Sequence, residues 1–251
     1  MKRRGEKIAA LTAYDFVTAR LLEEAAVPLI LVGDSLGMVL LGYENTLPVT
    51  MEEMLHHVRA VARAKPQALV VGDMPYRTYE TAEQAVANAR RFVEAGADAV
   101  KLEGGEDVLP QVRAVIASGI PVLGHIGLLP QSVTKFGGYK VQGRTPESAA
   151  RLLRDAQLLE AAGVFALVME CVVASVAKQV TETVSVPTIG IGAGPHCDGQ
   201  VLVWHDMLGL SPRLPKHTKV YADLRAAIRN AVASYKREVE SGNFPGPEQS
   251  F

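Results

Sequence analysis

The chain has 251 residues, of which 48% are hydrophobic, so it can bury a large core and suits either one α/β barrel or two small domains. Its 26 basic and 27 acidic side chains nearly cancel and are interspersed, which argues against a nucleic acid or an anionic membrane as partner. We therefore expect a small-molecule partner and favour one domain over residues 1–251.

The cysteine content and the first residues bear on where the protein resides. Cys171 and Cys197 are too few for a disulfide framework and fit a reducing compartment. The opening stretch MKRRGEKIAALTAYDF begins with basic residues, but Thr12 and Asp15 interrupt the apolar run that a signal peptide needs. No uninterrupted apolar run approaches the ~18 residues of a membrane-spanning helix. We expect a soluble, cytoplasmic protein.

Short apolar runs typical of buried strands recur along the chain. They cover residues 8–15, 29–35, 68–74, 99–105, 121–127, 166–171, 187–194 and 200–208. Amphipathic helical patterns lie between most of them, as over residues 54–61 and 152–159. Thr145, followed by Pro146, is a helix start signal, since threonine caps helices and proline suits the first helical position.

Strands that alternate with amphipathic helices indicate a parallel sheet covered by helices. Eight such units in 251 residues predict a (β/α)8 TIM barrel, with an open doubly wound sheet as the alternative. A last helix is expected from about Tyr221 to Glu240, and a short tail containing proline and glycine follows it.

Two charged residues interrupt the apolar strand AVKLEGG, residues 99–105. Because strand side chains alternate, Lys101 and Glu103 share one face, and Val100 and Leu102 share the other. The apolar pair faces the helices, so the charged pair is expected to face the barrel interior. Charges there are costly unless they are paired or bind a metal. Both lie near the carboxyl end of their strand, where barrel active sites assemble.

Four other strands end in an ionisable residue: Asp34, Asp73, His125 and Glu170. Each alone could be a helix cap, a turn residue or part of a structural ion pair. Taken with the charged pair of the fourth strand, they make six ionisable groups on one rim of the barrel. This convergence predicts an active site.

The residue types on the rim suggest their chemistry. Asp34, Asp73 and Glu103 form a hard, oxygen-rich donor set, which suits Mg²⁺ better than Zn²⁺. Which of the three bind the metal directly and which bind through water stays open.

The other rim residues suit proton transfer and charge stabilisation. Glu170 and His125 are the candidate acid–base groups. Lys101 is a fixed positive charge for an anionic substrate or a developing oxyanion.

Several ordered blocks resemble the ketopantoate hydroxymethyltransferase family. They are VGDSLGMVLLGYENTLPVTMEEMLHHVRAV, GDMPYRTYE, VKLEGG, PVLGHIGLLPQSVTKFGGYKVQGR and IGIGAGPHCDGQVLVWHDMLGL, within a match from about residue 5 to residue 215. Two small departures are Tyr76, where the family has phenylalanine, and Leu129, where threonine is commoner. Neither touches a proposed catalytic role.

The resemblance implies a reaction as well as a fold. It implies a (β/α)8 barrel that transfers a one-carbon unit from 5,10-methylenetetrahydrofolate to 3-methyl-2-oxobutanoate. It further implies that the product is 2-dehydropantoate, that Mg²⁺ is required and that the step is the first of pantothenate biosynthesis. The family also suggests a homo-oligomer, specifically a decamer.

The resemblance also assigns roles to individual positions. The family's metal carboxylates fall on Asp34, Asp73 and Glu103, and its substrate contacts fall on Asp34, Ser35, Asp73 and Lys101. Its proton acceptor falls on Glu170, and the histidine of its GHIG block, which lies near the substrate, falls on His125.

Two rival interpretations stay open. A Mg²⁺-dependent C–C lyase of the isocitrate-lyase or phosphoenolpyruvate-mutase kind also handles 2-oxo acids on a barrel rim, but it typically carries a cysteine on a mobile loop. No cysteine is expected on such a loop here. A barrel used only for binding or assembly would not need six ionisable groups at one mouth.

Overall fold

The computed structural model of the chain describes residues 1–132, 138 and 140–251. Within these residues, eight parallel strands pair in sequence order and close into a barrel. The strands are β1 (Ile8–Thr12), β2 (Leu29–Val32), β3 (Leu69–Asp73), β4 (Ala99–Glu103), β5 (Val122–Gly127), β6 (Ala166–Glu170), β7 (Thr188–Ile191) and β8 (Gly199–Leu202). The predicted (β/α)8 barrel is confirmed, and the open-sheet alternative is wrong because β8 pairs with β1.

Helices follow most of the strands. They are α1 (Phe16–Glu24), α2 (Leu36–Val39), α3 (Met51–Ala62), α4 (Ala82–Glu94), α5 (Leu109–Ala117), α6 (Pro146–Ala162), α7 (Ala174–Thr183), α8 (Trp204–Met207) and α9 (Leu224–Glu240). The predicted start of α6 is confirmed, because Thr145 accepts a hydrogen bond from the Ser148 N–H and Pro146 is the first helical residue. None of the helices within the described residues is long and apolar enough to cross a membrane.

Each of the eight predicted strands is longer than the observed one, and in the first and the eighth the reason is a helix that begins early. The first ends at Thr12 because Asp15 caps α1, where its carboxylate accepts a hydrogen bond from the Thr18 N–H at 2.8 Å. The eighth ends at Leu202, and Trp204 begins a helical turn inside the stretch predicted as strand. The run VLVWHDML is apolar enough for either element.

The chain divides into two compact units, Met1–Val203 and Trp204–Phe251. The first contains the whole barrel with α1 to α7, and the second contains α8 and α9. The last helix begins at Leu224 rather than near Tyr221, because Asp223 caps it. The assignment of residues 1–251 to one domain stays a prediction.

Apolar side chains fill the barrel interior. The buried cluster consists of Ala10, Leu29, Leu31, Val71, Ala99, Leu123, Ala166, Val168, Ile189 and Val201. Small and branched residues of this kind pack in layers between opposite strands, so the interior is a solid core rather than a channel. The polar residues of the rim lie at the carboxyl end of the strands, directly above this core.

Candidate active site

The strand register brings the charged residues of the rim together. On β4, Ala99 belongs to the buried interior, and Lys101 and Glu103 follow at every second position on the same face. Asp73 of β3 is in register with Lys101, and Glu103 is in register with His125 of β5. Four ionisable groups from three adjacent strands therefore lie side by side at the carboxyl end of the barrel.

Glu170 approaches the same rim from β6. It follows Val168, an interior residue, by two positions, so it also faces the lumen. Its strand partner is Gly127, which has a φ of 99°, and a Cβ atom there would lie 2.3 Å from the Glu170 carbonyl oxygen. Only glycine permits this close approach of β5 to β6.

Two buried ion pairs of Lys101 explain why one face of β4 can carry two charged residues. Its Nζ lies 2.7 Å from Asp73 Oδ1 and 3.2 Å from Glu103 Oε1, and the three side chains are at most 5% exposed. Burial alone would lower the pKa of Lys101, but the neighbouring carboxylates outweigh it and raise that pKa well above its usual value. The ammonium is a permanent charge in this site.

Asp34, Asp73 and Glu103, which we call the carboxylate cluster, are all buried. The Asp34 N–H donates to Asp73 Oδ2 at 3.2 Å. Burial and the negative charge of Asp73 raise the pKa of Asp34 well above its usual value, and burial also raises the pKa of Asp73. One ammonium thus faces three carboxyl groups, so the cluster holds more acidic groups than its own lysine neutralises.

Glu103 is the strongly ionised member of the cluster. Its burial would raise its pKa, but the charges of Lys101 and His125 prevail and lower it to about 2. This carboxylate keeps its negative charge at any physiological pH.

His125 lies between two carboxyl groups. Its Nδ1 is 3.3 Å from Glu103 Oε1, and its Nε2 is 3.5 Å from Glu170 Oε2, though neither contact has hydrogen-bond geometry. Burial raises the pKa of Glu170 to about 7 against the opposing effect of His125, and the negative charge of Glu103 adds to the rise. The Glu170 side chain is 18% exposed, so its carboxyl group reaches the open end of the barrel. A carboxyl group with such a pKa is suited to exchange protons near neutrality.

Ser35 lies beside the cluster as the residue before α2. Its Oγ is 2.9 Å from the hydroxyl of Tyr14, whose side chain is 1% exposed. Sequence reasoning missed Tyr14, because it follows β1 in a run that reads as apolar strand.

Two further polar residues were missed. Gln131 donates hydrogen bonds to Asp34 and Glu103, and the Tyr79 hydroxyl donates to Gln131. Both belong to loops, after β5 and β3. The only signal in the sequence is a glutamine soon after the strand that carries His125.

The part of the chain that the structure describes holds no ready coordination sphere for a metal ion. Among residues 1–132, 138 and 140–251, no group of three or more histidine, cysteine or acidic side chains is already arranged to hold a metal ion. The Lys101 ammonium instead contacts both Asp73 and Glu103. The expectation of Mg²⁺ therefore rests on the chemistry of the donors.

Sequence comparison identifies relatives over almost the whole chain. The family model described as ketopantoate hydroxymethyltransferase matches residues 1–247. Proteins named 3-methyl-2-oxobutanoate hydroxymethyltransferase include one from Syntrophus aciditrophicus (strain SB), 56% identical over 100% of this chain and 93% of the relative. The protein of that name from Ignicoccus hospitalis is 58% identical over 97% of this chain and 93% of the relative.

Solved structures share the fold at low sequence identity. Phosphonopyruvate hydrolase, in a complex with oxalate and Mg²⁺, superposes with a TM-score of 0.63 at 15% identity and covers 98% of this chain and 89% of that chain. A 2,3-dimethylmalate lyase of the PEP mutase/isocitrate lyase superfamily gives 0.61 at 15% identity, with 99% and 88% covered. These matches support the barrel architecture alone.

Proposed function

The chain belongs to the ketopantoate hydroxymethyltransferase family, and on that premise we propose that it transfers a one-carbon unit from 5,10-methylenetetrahydrofolate to 3-methyl-2-oxobutanoate. The hydroxymethyltransferase activity follows from relatives that are 53–58% identical. With one water, the products are 2-dehydropantoate and tetrahydrofolate. The observation that carries the proposal is the convergence of three buried carboxyl groups, one lysine and Glu170 on one rim.

The carboxylate cluster suits a divalent metal. Asp34, Asp73 and Glu103 offer only oxygen donors, which Mg²⁺ prefers, and their acidic groups outnumber the single neighbouring ammonium. We therefore infer that these three residues hold Mg²⁺, directly or through water. When bound, the metal would supply a Lewis acid for the oxygens of the 2-oxo acid.

The side chains around the cluster would bind and orient the substrate. Lys101 is a buried, permanent cation, so it attracts the anionic substrate and stabilises negative charge that develops on its ketone oxygen. The Ser35 hydroxyl, held by Tyr14, is a further hydrogen-bonding group beside Asp34. Asp34 and Asp73 complete the set of substrate contacts that the family resemblance implies.

Glu170 is the base in this scheme. Ionised near neutral pH and set at the open end of the lumen, its carboxylate takes the proton from the third carbon of 3-methyl-2-oxobutanoate. His125 Nε2 lies 3.5 Å from Glu170 Oε2, where it can orient the carboxyl group during the proton transfer. The substrate becomes an enolate, whose charge faces Lys101.

The enolate then forms the new carbon–carbon bond. Opening of the folate ring breaks one of the two bonds between the methylene carbon and nitrogen and leaves an iminium, whose carbon the third carbon of the enolate attacks. Water then replaces the second nitrogen on that carbon and supplies the hydroxyl group of the product. The proton taken by Glu170 and the remaining proton of the water balance the two nitrogens that become N–H groups in tetrahydrofolate. The substrate loses the hydrogen on its third carbon, and the product has a quaternary carbon there.

The two rival functions fit less well. A C–C lyase shares the barrel and the 2-oxo acid chemistry, but the 2,3-dimethylmalate lyase of similar fold is 15% identical, whereas the hydroxymethyltransferase from Syntrophus aciditrophicus is 56% identical. A barrel used only for binding has no need of a carboxyl group with a pKa of about 7 beside a buried lysine.

The resemblance also leads us to propose a homo-oligomer, a decamer, in the cytoplasm, acting at the first step of pantothenate biosynthesis. Helix α9 supports self-association. Its apolar side chains Ile228, Val232, Tyr235 and Val239 recur on one face and are 46–60% exposed. Light scattering on the purified protein tests the oligomeric state, and a monomer at micromolar concentration would contradict it.

The test of function is an assay with the purified chain, both substrates and Mg²⁺. We expect 2-dehydropantoate to form only when 3-methyl-2-oxobutanoate and methylenetetrahydrofolate are both present. A folded protein that makes no 2-dehydropantoate under these conditions would refute the proposal. Cleavage of a 2-oxo acid without folate would favour the lyase.

A further inference from the structure

Gln131 is a buried residue in contact with two members of the carboxylate cluster. It lies in the 3-10 turn Pro130–Ser132 after β5 and is 3% exposed. Its Nε2 donates to Asp34 Oδ2 at 3.0 Å and to the Met74 carbonyl oxygen at 2.9 Å. Its backbone N–H donates to Glu103 Oε2 at 3.1 Å. One residue from a loop therefore connects Asp34, which follows β2, with Glu103, the last residue of β4.

The orientation of the Gln131 amide is determined by its partners. The Tyr79 hydroxyl donates to Oε1 at 2.6 Å, and both Nε2 hydrogens are directed at acceptors. A turned amide would bring Oε1 against the Met74 carbonyl oxygen, where no hydrogen lies between the two oxygens. Tyr79 therefore keeps the donor end of the amide on Asp34.

The chemistry of this contact differs from that of Lys101. A neutral amide holds a carboxylate oxygen without cancelling its charge, so the cluster keeps its attraction for a cation. Hydrogen bonds of this kind orient metal ligands, and their loss typically weakens metal binding or activity 10–100-fold.

We propose that Gln131 is a positioning residue, which holds Asp34 and Glu103 in place for a divalent cation, and that Tyr79 in turn holds Gln131. The inference rests on the proposed function in one respect, the assignment of the carboxylate cluster as the metal site.

The test compares metal binding in three full-length variants with the wild type. Gln131→Met keeps the length of the side chain and removes its hydrogen bonds, and Tyr79→Phe removes only the hydroxyl group. Gln111→Met is the matched control, since Gln111 donates one hydrogen bond, to the Glu80 carbonyl oxygen, from helix α5. Mn²⁺ is added to metal-free protein, and free Mn²⁺ is measured by electron paramagnetic resonance.

We expect the Mn²⁺ dissociation constant to rise ~10–100-fold in Gln131→Met, by a smaller factor in Tyr79→Phe, and not at all in Gln111→Met. The Mg²⁺ concentration for half-maximal turnover should rise in parallel, and kcat at saturating Mg²⁺ should stay within about threefold of wild type. A merely structural role would not raise the half-maximal Mg²⁺ concentration while it leaves kcat nearly unchanged.

Two outcomes would overturn the inference. One is an Mn²⁺ affinity within about twofold of wild type in both Gln131→Met and Tyr79→Phe, and the other is no binding of Mn²⁺ by the wild type. If Gln131→Met does not fold, an unchanged affinity in Tyr79→Phe is enough to reject it. A wild type that binds Mn²⁺ but makes no 2-dehydropantoate would refute the proposed function, and the comparison of affinities would still decide the role of Gln131.

Discussion

Replacement of Glu170 by glutamine tests the proposed proton removal at one atom. The amide keeps the shape of the side chain and takes away the basic oxygen. Proton removal needs no folate, so the wild-type protein should exchange the hydrogen on the third carbon of 3-methyl-2-oxobutanoate with D₂O in the presence of Mg²⁺ alone. Loss of a general base typically costs ~10²–10⁴-fold, and we expect the exchange in Glu170→Gln to slow by that factor.

The pH dependence of the exchange rate gives a second quantitative prediction. With the pKa of Glu170 at about 7, the ionised fraction is roughly one tenth at pH 6 and nine tenths at pH 8. Wild-type exchange should therefore rise about tenfold between these two pH values and then level off. Residual exchange in Glu170→Gln should lack this rise.

Proton NMR measures the exchange directly, from the loss of the signal of the third-carbon hydrogen. Glu24→Gln is the matched control, because Glu24 is an exposed residue of α1 outside the site, and it should exchange at the wild-type rate. Glu170→Asp should retain partial activity. Wild-type exchange in Glu170→Gln would refute the role of Glu170 and move it to His125, the other candidate acid–base group on the rim.

Three further results follow from the charges of the site. Because the folded-state pKa of Glu170 is raised from 4.5 to about 7, its ionisation destabilises the fold as the pH rises through this window. Denaturant unfolding should show Glu170→Gln more stable than wild type by up to about 3 kcal/mol above pH 7, with no difference near pH 4.5, and equal stability at both pH values would refute the burial argument. Lys101→Met leaves Asp73 and Glu103 without their buried counter-ion, so it should lower the free energy of unfolding by ~3–5 kcal/mol and abolish turnover even where the variant is folded. A folded variant with normal turnover would show that Lys101 serves only as a counter-ion. Dialysis against EDTA should abolish turnover and Mg²⁺ should restore it, whereas full activity in metal-free protein would exclude the metal.

The rim could be predicted from the sequence because two simple periodicities determine it. An apolar strand that ends in an ionisable residue places that residue at the carboxyl end, and alternation decides whether it faces the lumen. Once eight such strands close into a barrel, Asp73, Lys101, Glu103 and His125 must converge. The same logic could not tell which partner Lys101 takes, because that depends on the register of β3 against β4.

The loop residues of the site could not be predicted in this way. Tyr14, Tyr79 and Gln131 reach the site from segments that follow three different strands, and no periodicity describes the path of a loop. Their positions are set by long-range hydrogen bonds, such as that between Gln131 and Asp34. The eighth strand was wrong in length for a related reason, since an apolar run alone does not separate a strand from a short helix.

The central claim is that this chain joins the methylene carbon of the folate to the third carbon of 3-methyl-2-oxobutanoate. The most direct measurement is mass spectrometry of the product formed from ¹³C-methylene-labelled methylenetetrahydrofolate and 3-methyl-2-oxobutanoate deuterated at the third carbon, with Mg²⁺. We predict 2-dehydropantoate that carries one ¹³C and no deuterium. A folded, Mg²⁺-supplied protein that forms no ¹³C-labelled product, or one whose product retains the deuterium, would contradict the account.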